Sequence, residues 1–156
     1  MWPFKTKQTV TNDPPPQVRD LTEEEEAWVQ AERDGLTKLA GAIGFTLPQN
    51  DDERLALCDE IIRWWHCEPR DQRIDAHRVV NPIGVAMGDV LAREFGLAWK
   101  IVTDAFGTDL GLWRAKGQIV LSPVHSVAKR FADESNGFVV SLCGAMRAQL
   151  RSMSDW

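Results

Sequence analysis

The stretch that decides the fold is Gly96–Arg114, which reads G-L-A-W-K-I-V-T-D-A-F-G-T-D-L-G-L-W-R. Two runs rich in valine, leucine, isoleucine and tryptophan flank a short segment that carries Asp104, Gly107 and Asp109. Runs of this composition are typical of β-strands, and aspartate beside glycine is typical of tight turns. The stretch therefore predicts a β-hairpin.

A third apolar run follows the hairpin after a connection of three residues, Ala115-Lys116-Gly117. Connections this short join antiparallel neighbours, so the pattern predicts a three-stranded meander with strands at 98–104, 109–114 and 118–121. Apolar residues at helical spacing precede and follow the meander. We therefore predict an α+β fold: N-terminal helices, a three-stranded antiparallel meander, then C-terminal helices, with the helices packed on one face of the sheet.

The N-terminal residues 1–20 lack regular periodicity and contain Pro14-Pro15-Pro16, so they predict a flexible, proline-containing arm. Thr22 followed three residues later by Glu25 has the spacing of a capping box, which marks the start of a helix. The chain has 156 residues, 44% of them hydrophobic, which suits one domain of ordinary size. We expect residues 21–156 to form a single α+β domain.

Two glycines share one face of a helix that the sequence predicts before the hairpin. Asn81-Pro82 indicates the beginning of this helix, because proline is favoured at the first helical position. Gly84 and Gly88 lie one turn apart, and each costs about 1 kcal/mol relative to alanine in a helix. Glycine at both positions therefore predicts that another element packs very close to this face.

Charge and cysteine content exclude several classes of protein. The formal net charge is −5, and the first 78 residues hold 10 basic against 16 acidic side chains, which disfavours a nucleic-acid partner. Three cysteines without C-x-x-C spacing, and no secretory segment, indicate a reduced, cytoplasmic setting. No apolar run approaches the roughly 18 residues that span a bilayer, so we expect no stable membrane association.

Recognisable catalytic motifs are absent from the sequence. It contains no glycine-rich phosphate loop, no G-x-S-x-G and no H-E-x-x-H. We therefore predict no catalytic residue, no metal ligand and no cofactor, and we favour a non-enzymatic protein over an enzyme.

Several short motifs in the second half of the chain occur together in a characteristic order. They are Phe95-Gly96-Leu97 with Trp99, Thr103-Asp104, Phe106-Gly107-Thr108-Asp109, Pro123 with Val127-Ala128-Lys129-Arg130, and Phe138-Val139. In this order and spacing, residues 79–150 resemble a bacterial family designated domain of unknown function 3806. The resemblance implies an α+β domain of a small cytoplasmic bacterial protein, and it implies no activity.

The leading functional hypothesis is a cytoplasmic bacterial protein that binds another protein, as an immunity or accessory factor that masks a site on its partner. An acidic front half and an excess of tryptophan suit docking onto a basic enzyme or toxin. The predicted binding residues are Trp99, Asp104, Asp109, Lys129 and Arg130.

Three alternatives remain open at this point. Asp104 and Asp109 bracket a turn, and they would either cap it through side-chain hydrogen bonds or hold a metal ion in a metal-assisted hydrolase. The acidic run Glu23–Glu26 is an alternative docking face. A third hypothesis is a nucleic-acid-associated protein that uses residues 70–78 and the last helix.

Overall fold

The computed structural model describes residues 4–5, 14–133 and 135–153. Within these residues the chain forms five α-helices: α1 (Glu23–Ala42), α2 (Asp51–Cys67), α3 (His77–Phe95), α4 (Pro123–Ala132) and α5 (Phe138–Ser152). A short 3-10 helix, Arg70–Gln72, lies between α2 and α3.

The described strands form one antiparallel sheet in the order β1-β5-β4-β3-β2. They are β1 (Phe4–Lys5), β2 (Gln17–Arg19), β3 (Ala98–Asp104), β4 (Gly107–Arg114) and β5 (Ile119–Leu121). The predicted meander, β3-β4-β5, is confirmed at the centre, and so is the α+β class. Long-range pairing adds one short strand at each edge, because the outer strands of a meander leave their backbone groups open to a further strand.

Both edge strands come from the predicted flexible arm. Val18 pairs with Val102 at one edge, and Phe4 pairs with Leu121 at the other. The backbones of residues 4–5 and 17–19, within the predicted arm, therefore complete the sheet. The remainder of the predicted arm up to residue 13 lies outside the described residues.

The start of α1 is held by the predicted capping box. The Glu25 N–H donates to Thr22 Oγ1 at 3.2 Å, and the Thr22 N–H donates to Glu25 Oε1 at 2.9 Å. Arg19 of β2 donates to both oxygens of the same carboxylate. Arg19, and next the Thr22 N–H, lower the pKa of Glu25 to about 2. Edge strand β2 is thereby tied to the helix that follows it.

The central helix of the fold is α3, which packs against α1, α2, α4 and α5. It begins at His77, four residues before the predicted start at Asn81, and Pro82 lies inside it. The buried Pro82 ring faces Gly35 of α1, and its missing N–H falls only in the second turn of the helix. Packing of this ring against α1 offsets part of the cost of a proline inside the helix.

The glycine face of α3 packs closely against α4 and the ring of Trp99, as the two glycines predicted. A Cβ placed at Gly84 would lie 2.5 Å from the Val124 Cα of α4, and one placed at Gly88 would overlap the six-membered ring of Trp99. The absence of side chains at these positions lets α4 and β3 approach α3. This close approach places the start of α4 beside the hairpin.

The start of α5 is capped by a side chain from another helix. Asp59 of α2 is 8% exposed, and its Oδ1 and Oδ2 accept hydrogen bonds from the Val139 and Val140 N–H groups at 2.7 and 3.1 Å. The residue at the N-cap position, Gly137, supplies no side-chain hydrogen bond of its own. The negative charge of Asp59 also matches the positive end of the α5 dipole.

Candidate binding site

A cavity of about 510 Å³ lies between the β3–β4 hairpin, β5 and α4, and Leu142 of α5 closes part of its wall. It collects four of the five predicted binding residues, namely Asp104, Asp109, Lys129 and Arg130. Binding sites for small ligands and peptide segments commonly have volumes of about 300–1,000 Å³. The cavity is therefore large enough to hold a side chain or a short peptide segment.

The hairpin side of the cavity is a turn of two residues, Ala105 and Phe106, which is shorter than the predicted turn over 105–108. In the register of the pair, Asp104 lies opposite Gly107. Gly107 has φ +122°, a value that glycine adopts readily and other residues rarely do. This backbone freedom lets β4 begin two residues earlier than the sequence pattern indicated.

Both hairpin aspartates use one carboxylate oxygen to accept a backbone hydrogen bond. Asp104 Oδ1 accepts from the Phe106 N–H at 2.8 Å, and Asp109 Oδ1 accepts from the Leu110 N–H at 2.8 Å. The bond to Asp104 spans two residues and is the turn-capping bond considered in the sequence analysis. These two hydrogen bonds orient both carboxylates, and both residues line the hairpin wall of the cavity.

The opposite wall is one face of α4. Ser126 and Arg130 line the cavity one turn apart, and His125 and Lys129 repeat the same spacing beside them. The other face of α4 buries Val127 and Phe131 in the core. This division of polar and apolar residues fixes the rotation of α4, so the basic side chains are held toward the hairpin.

Phe106 is the residue that sequence reasoning missed. It lies at the tip of the hairpin, lines the cavity, and is 84% exposed. Turns are usually built from glycine, proline and short polar residues, so phenylalanine between Asp104 and Gly107 was a signal already present in the sequence. An aromatic ring exposed to this extent costs hydration free energy that contact with another molecule would recover.

The two core cysteines are unsuited to nucleophilic chemistry. Cys58 and Cys143 are both buried, and burial raises the pKa of the Cys143 thiol to about 11 and that of Cys58 to about 12. A thiol attacks as its thiolate, which is scarce at neutral pH when the pKa is this high. Among the residues that the structure describes, no group of three or more histidine, cysteine, aspartate or glutamate side chains is arranged to hold a metal ion.

Comparison with known protein families identifies the domain. A family model described as "Domain of unknown function (DUF3806)" matches residues 55–142, more than half of the chain. The chain belongs to the DUF3806 family. No match was found among curated proteins or among solved structures.

The DUF3806 segment begins earlier than the resemblance over residues 79–150 implied. It includes most of α2 and ends within α5. The structure gives a physical reason, because α2 supplies Asp59 to the start of α5 and packs against α3. Every described residue that lines the cavity also lies within the DUF3806 segment.

Trp99, the fifth predicted binding residue, lies apart from the cavity of the DUF3806 domain. Its ring packs against Gly88, and its Nε1–H donates to Asp89 Oδ1 at 3.0 Å. Arg33 of α1 donates to both oxygens of the same carboxylate, at 2.8 and 2.9 Å. These contacts link α1, α3 and β3 through Asp89 and assign Trp99 a role in packing.

We expect Trp99→Phe to lower the free energy of unfolding by about 1–2 kcal/mol, because the half-buried Asp89 carboxylate loses a charged hydrogen bond. Urea denaturation followed by circular dichroism measures this change. Trp28→Phe, at a position 40% exposed on α1, is the control and should change stability by less than about 0.5 kcal/mol. Equal stabilities of the two variants would contradict the packing role.

Most arginines in the proposed nucleic-acid surface have partners inside the protein. Arg147 pairs with Asp52 and Glu94 at 2.8 Å each, and Arg151 also pairs with Glu94. In the 70–78 segment, Arg73 donates to backbone carbonyls at the end of α2. These contacts join elements of the DUF3806 domain through the guanidinium groups.

No helix formed by the described residues combines the length and apolar character needed to cross a bilayer.

Proposed function

We propose that this protein binds another protein through the hairpin tip and the α4 wall of the cavity, and that it acts as an immunity or accessory factor masking a site on that partner. The single observation that carries the proposal is Phe106, an aromatic side chain 84% exposed at the rim of a cavity lined by charged groups. The cytoplasm of a bacterium is the compartment we propose for this activity, in keeping with the reduced cysteines.

The arrangement supports docking because it combines an apolar anchor with a polar surround. Binding energy in protein interfaces concentrates in a few aromatic and arginine side chains that become fully desolvated, while neighbouring polar groups exclude water. Phe106 supplies the aromatic anchor and Arg130 supplies the guanidinium, and both line the same cavity.

Charges of both signs around the cavity would orient the partner. Asp104 and Asp109 lie on the hairpin, whereas Lys129 and Arg130 lie on α4. Opposed charges on facing walls favour one orientation of a docked surface and penalise the reverse one. The hairpin carboxylates suit the basic partner that the sequence analysis anticipated.

The test is a pull-down from lysate of the native host with three baits: wild type, Phe106→Ala and Phe45→Ala. We expect wild type and Phe45→Ala to retain the same stoichiometric partner. Phe106→Ala should bind that partner at least about tenfold more weakly, because it loses an interface anchor. Phe45 is the matched control because it is 53% exposed and lies outside the cavity. Equal retention by Phe106→Ala, or no stoichiometric partner on wild type, would contradict the proposal.

The second candidate function is a metal-assisted hydrolase, and the observation in its favour is that Asp104 and Asp109 line one cavity. In both residues the backbone hydrogen bond is accepted by Oδ1. Titration with Mg²⁺ or Mn²⁺ followed by calorimetry tests it. Binding that is lost in Asp104→Asn would favour this function over docking.

A further inference from the structure

Arg130 differs from three other half-buried arginines, Arg54, Arg73 and Arg147. Arg54 donates to the Pro48 carbonyl, Arg73 donates to the carbonyls of His66 and Glu68, and Arg147 pairs with two carboxylates. Arg130 is half-buried too, yet no side-chain hydrogen bond or ion pair of its guanidinium is formed within residues 14–133 and 135–153.

An arginine that lines a cavity and whose guanidinium has no hydrogen-bond or ion-pair partner within residues 14–133 and 135–153 offers its donors to a ligand. The group carries five N–H donors and stays charged at all physiological pH values. A bound acceptor would replace water at these donors. Because Arg130 lines the cavity, the acceptor can come from a molecule that enters there.

The geometry points to a carboxylate-binding subsite at Arg130, which takes the acidic side chain of a segment that the partner inserts into the cavity. The source of the carboxylate rests on the proposed function, whereas the subsite rests on Arg130 and the cavity. A guanidinium fork accepts a carboxylate through two parallel hydrogen bonds, which fixes its orientation as well as its charge.

The charge of the cavity favours a carboxylate over a phosphate dianion. The lining carries two basic side chains, on α4, and three acidic ones: Asp104 and Asp109 on the hairpin and Asp133 at the end of α4. Lys129 and Arg130 also lie in the last turn of α4, where the helix dipole is negative. A singly charged group directed at Arg130 meets less repulsion from these charges than a dianion does.

Apolar residues complete the subsite. Val102, Val120 and Leu142 contribute to the lining together with the exposed ring of Phe106. An acidic residue flanked by aliphatic residues therefore matches the cavity better than an isolated carboxylate. The ligand class is a short peptide segment with one glutamate or aspartate between apolar neighbours.

The experiment needs no knowledge of the partner. The blocked peptide acetyl-Leu-Glu-Leu-amide is titrated into ¹⁵N-labelled full-length protein, and backbone amide shifts are followed by NMR. Its neutral isostere, acetyl-Leu-Gln-Leu-amide, is the matched probe, and inorganic phosphate is the competing anion. We expect the glutamate peptide to shift the amides of α4 and the hairpin and to bind about tenfold more tightly than the glutamine peptide, as a charged hydrogen-bonded pair provides.

Variants locate the effect on the guanidinium. Arg130→Gln should weaken binding of the glutamate peptide about tenfold. Arg130→Lys should retain part of the affinity, because lysine keeps the positive charge but cannot form the two parallel hydrogen bonds of a guanidinium. Arg78→Gln, at an exposed position of α3 outside the cavity, should bind as wild type does.

Three results would overturn the subsite: no cavity shifts with the glutamate peptide, equal binding by Arg130→Gln and wild type, or tighter binding of phosphate than of the peptide. The titration does not depend on the pull-down. Equal retention of the partner by Phe106→Ala would contradict the docking role without affecting the subsite, so the two failures are distinguishable.

Discussion

Gly84→Ala is expected to lower the free energy of unfolding by about 3 kcal/mol, the upper range for overpacking a core. The new Cβ would lie 2.5 Å from the Val124 Cα and 2.9 Å from its Cγ2. Relief would require movement of the α4 backbone, because the nearest atom belongs to the main chain. Such movement would also shift the wall that carries Lys129 and Arg130.

Gly144→Ala is the matched control for this substitution. Gly144 is also helical, lies on an exposed part of α5, and has open space where its Cβ would be. Alanine there should raise the free energy of unfolding by up to about 1 kcal/mol through helix propensity alone. Chemical denaturation of both variants measures the contrast. Gly84→Ala as stable as wild type would show that α4 does not approach α3 as closely as the structure indicates.

Asp59→Ala is expected to lower the free energy of unfolding by about 2–3 kcal/mol, because two N–H groups at the start of α5 lose their acceptor. The hydrogen bond from the Val139 N–H to Asp59 is buried, so water cannot readily replace the carboxylate. Loss of a negative charge at the positive end of the helix dipole acts in the same direction.

The local effect of Asp59→Ala separates capping from general destabilisation. Amide hydrogen exchange at Val139 and Val140 should accelerate more than exchange in α1, because the first turn of α5 frays when its cap is lost. Glu60→Ala is the control, since Glu60 lies beside Asp59 on α2 and forms an exposed ion pair with Arg63. That variant should change stability by less than about 0.5 kcal/mol. Equal effects of the two substitutions would contradict the capping role.

Much of the fold was predictable from local signals. Thr22 with Glu25 marks the start of α1 as the sequence indicates, and the glycine face of α3 meets close neighbours. The meander is present, although its first turn is two residues shorter than predicted and its second connection is one residue longer, because β5 begins at Ile119. These features depend on residues a few positions apart, so their patterns are visible in one dimension.

The candidate site was predictable only in part. Asp104 and Asp109 were identified by turn chemistry, and Lys129 and Arg130 by their adjacent charges. Their convergence on one cavity depends on how α4 lies against the hairpin, which no local pattern expresses. The contacts of Trp99 were not predictable either, because no local pattern shows that its indole packs against Gly88 and donates to Asp89.

The sequence by itself determined the order of the helices and the three central strands, the capping of α1, and membership of the family that the motifs between Phe95 and Val139 indicate. Spacing of apolar residues, caps and turn residues specifies these features, since each acts over one or two turns of chain. Tertiary structure alone decided that Gln17–Arg19 becomes an edge strand of the sheet and that Asp59 caps a helix 80 residues away. It also decided that Arg130, whose guanidinium has no hydrogen-bond or ion-pair partner within residues 14–133 and 135–153, lines the hairpin cavity. Each of these depends on contacts between segments distant in sequence, whose energies arise only when packing brings them together.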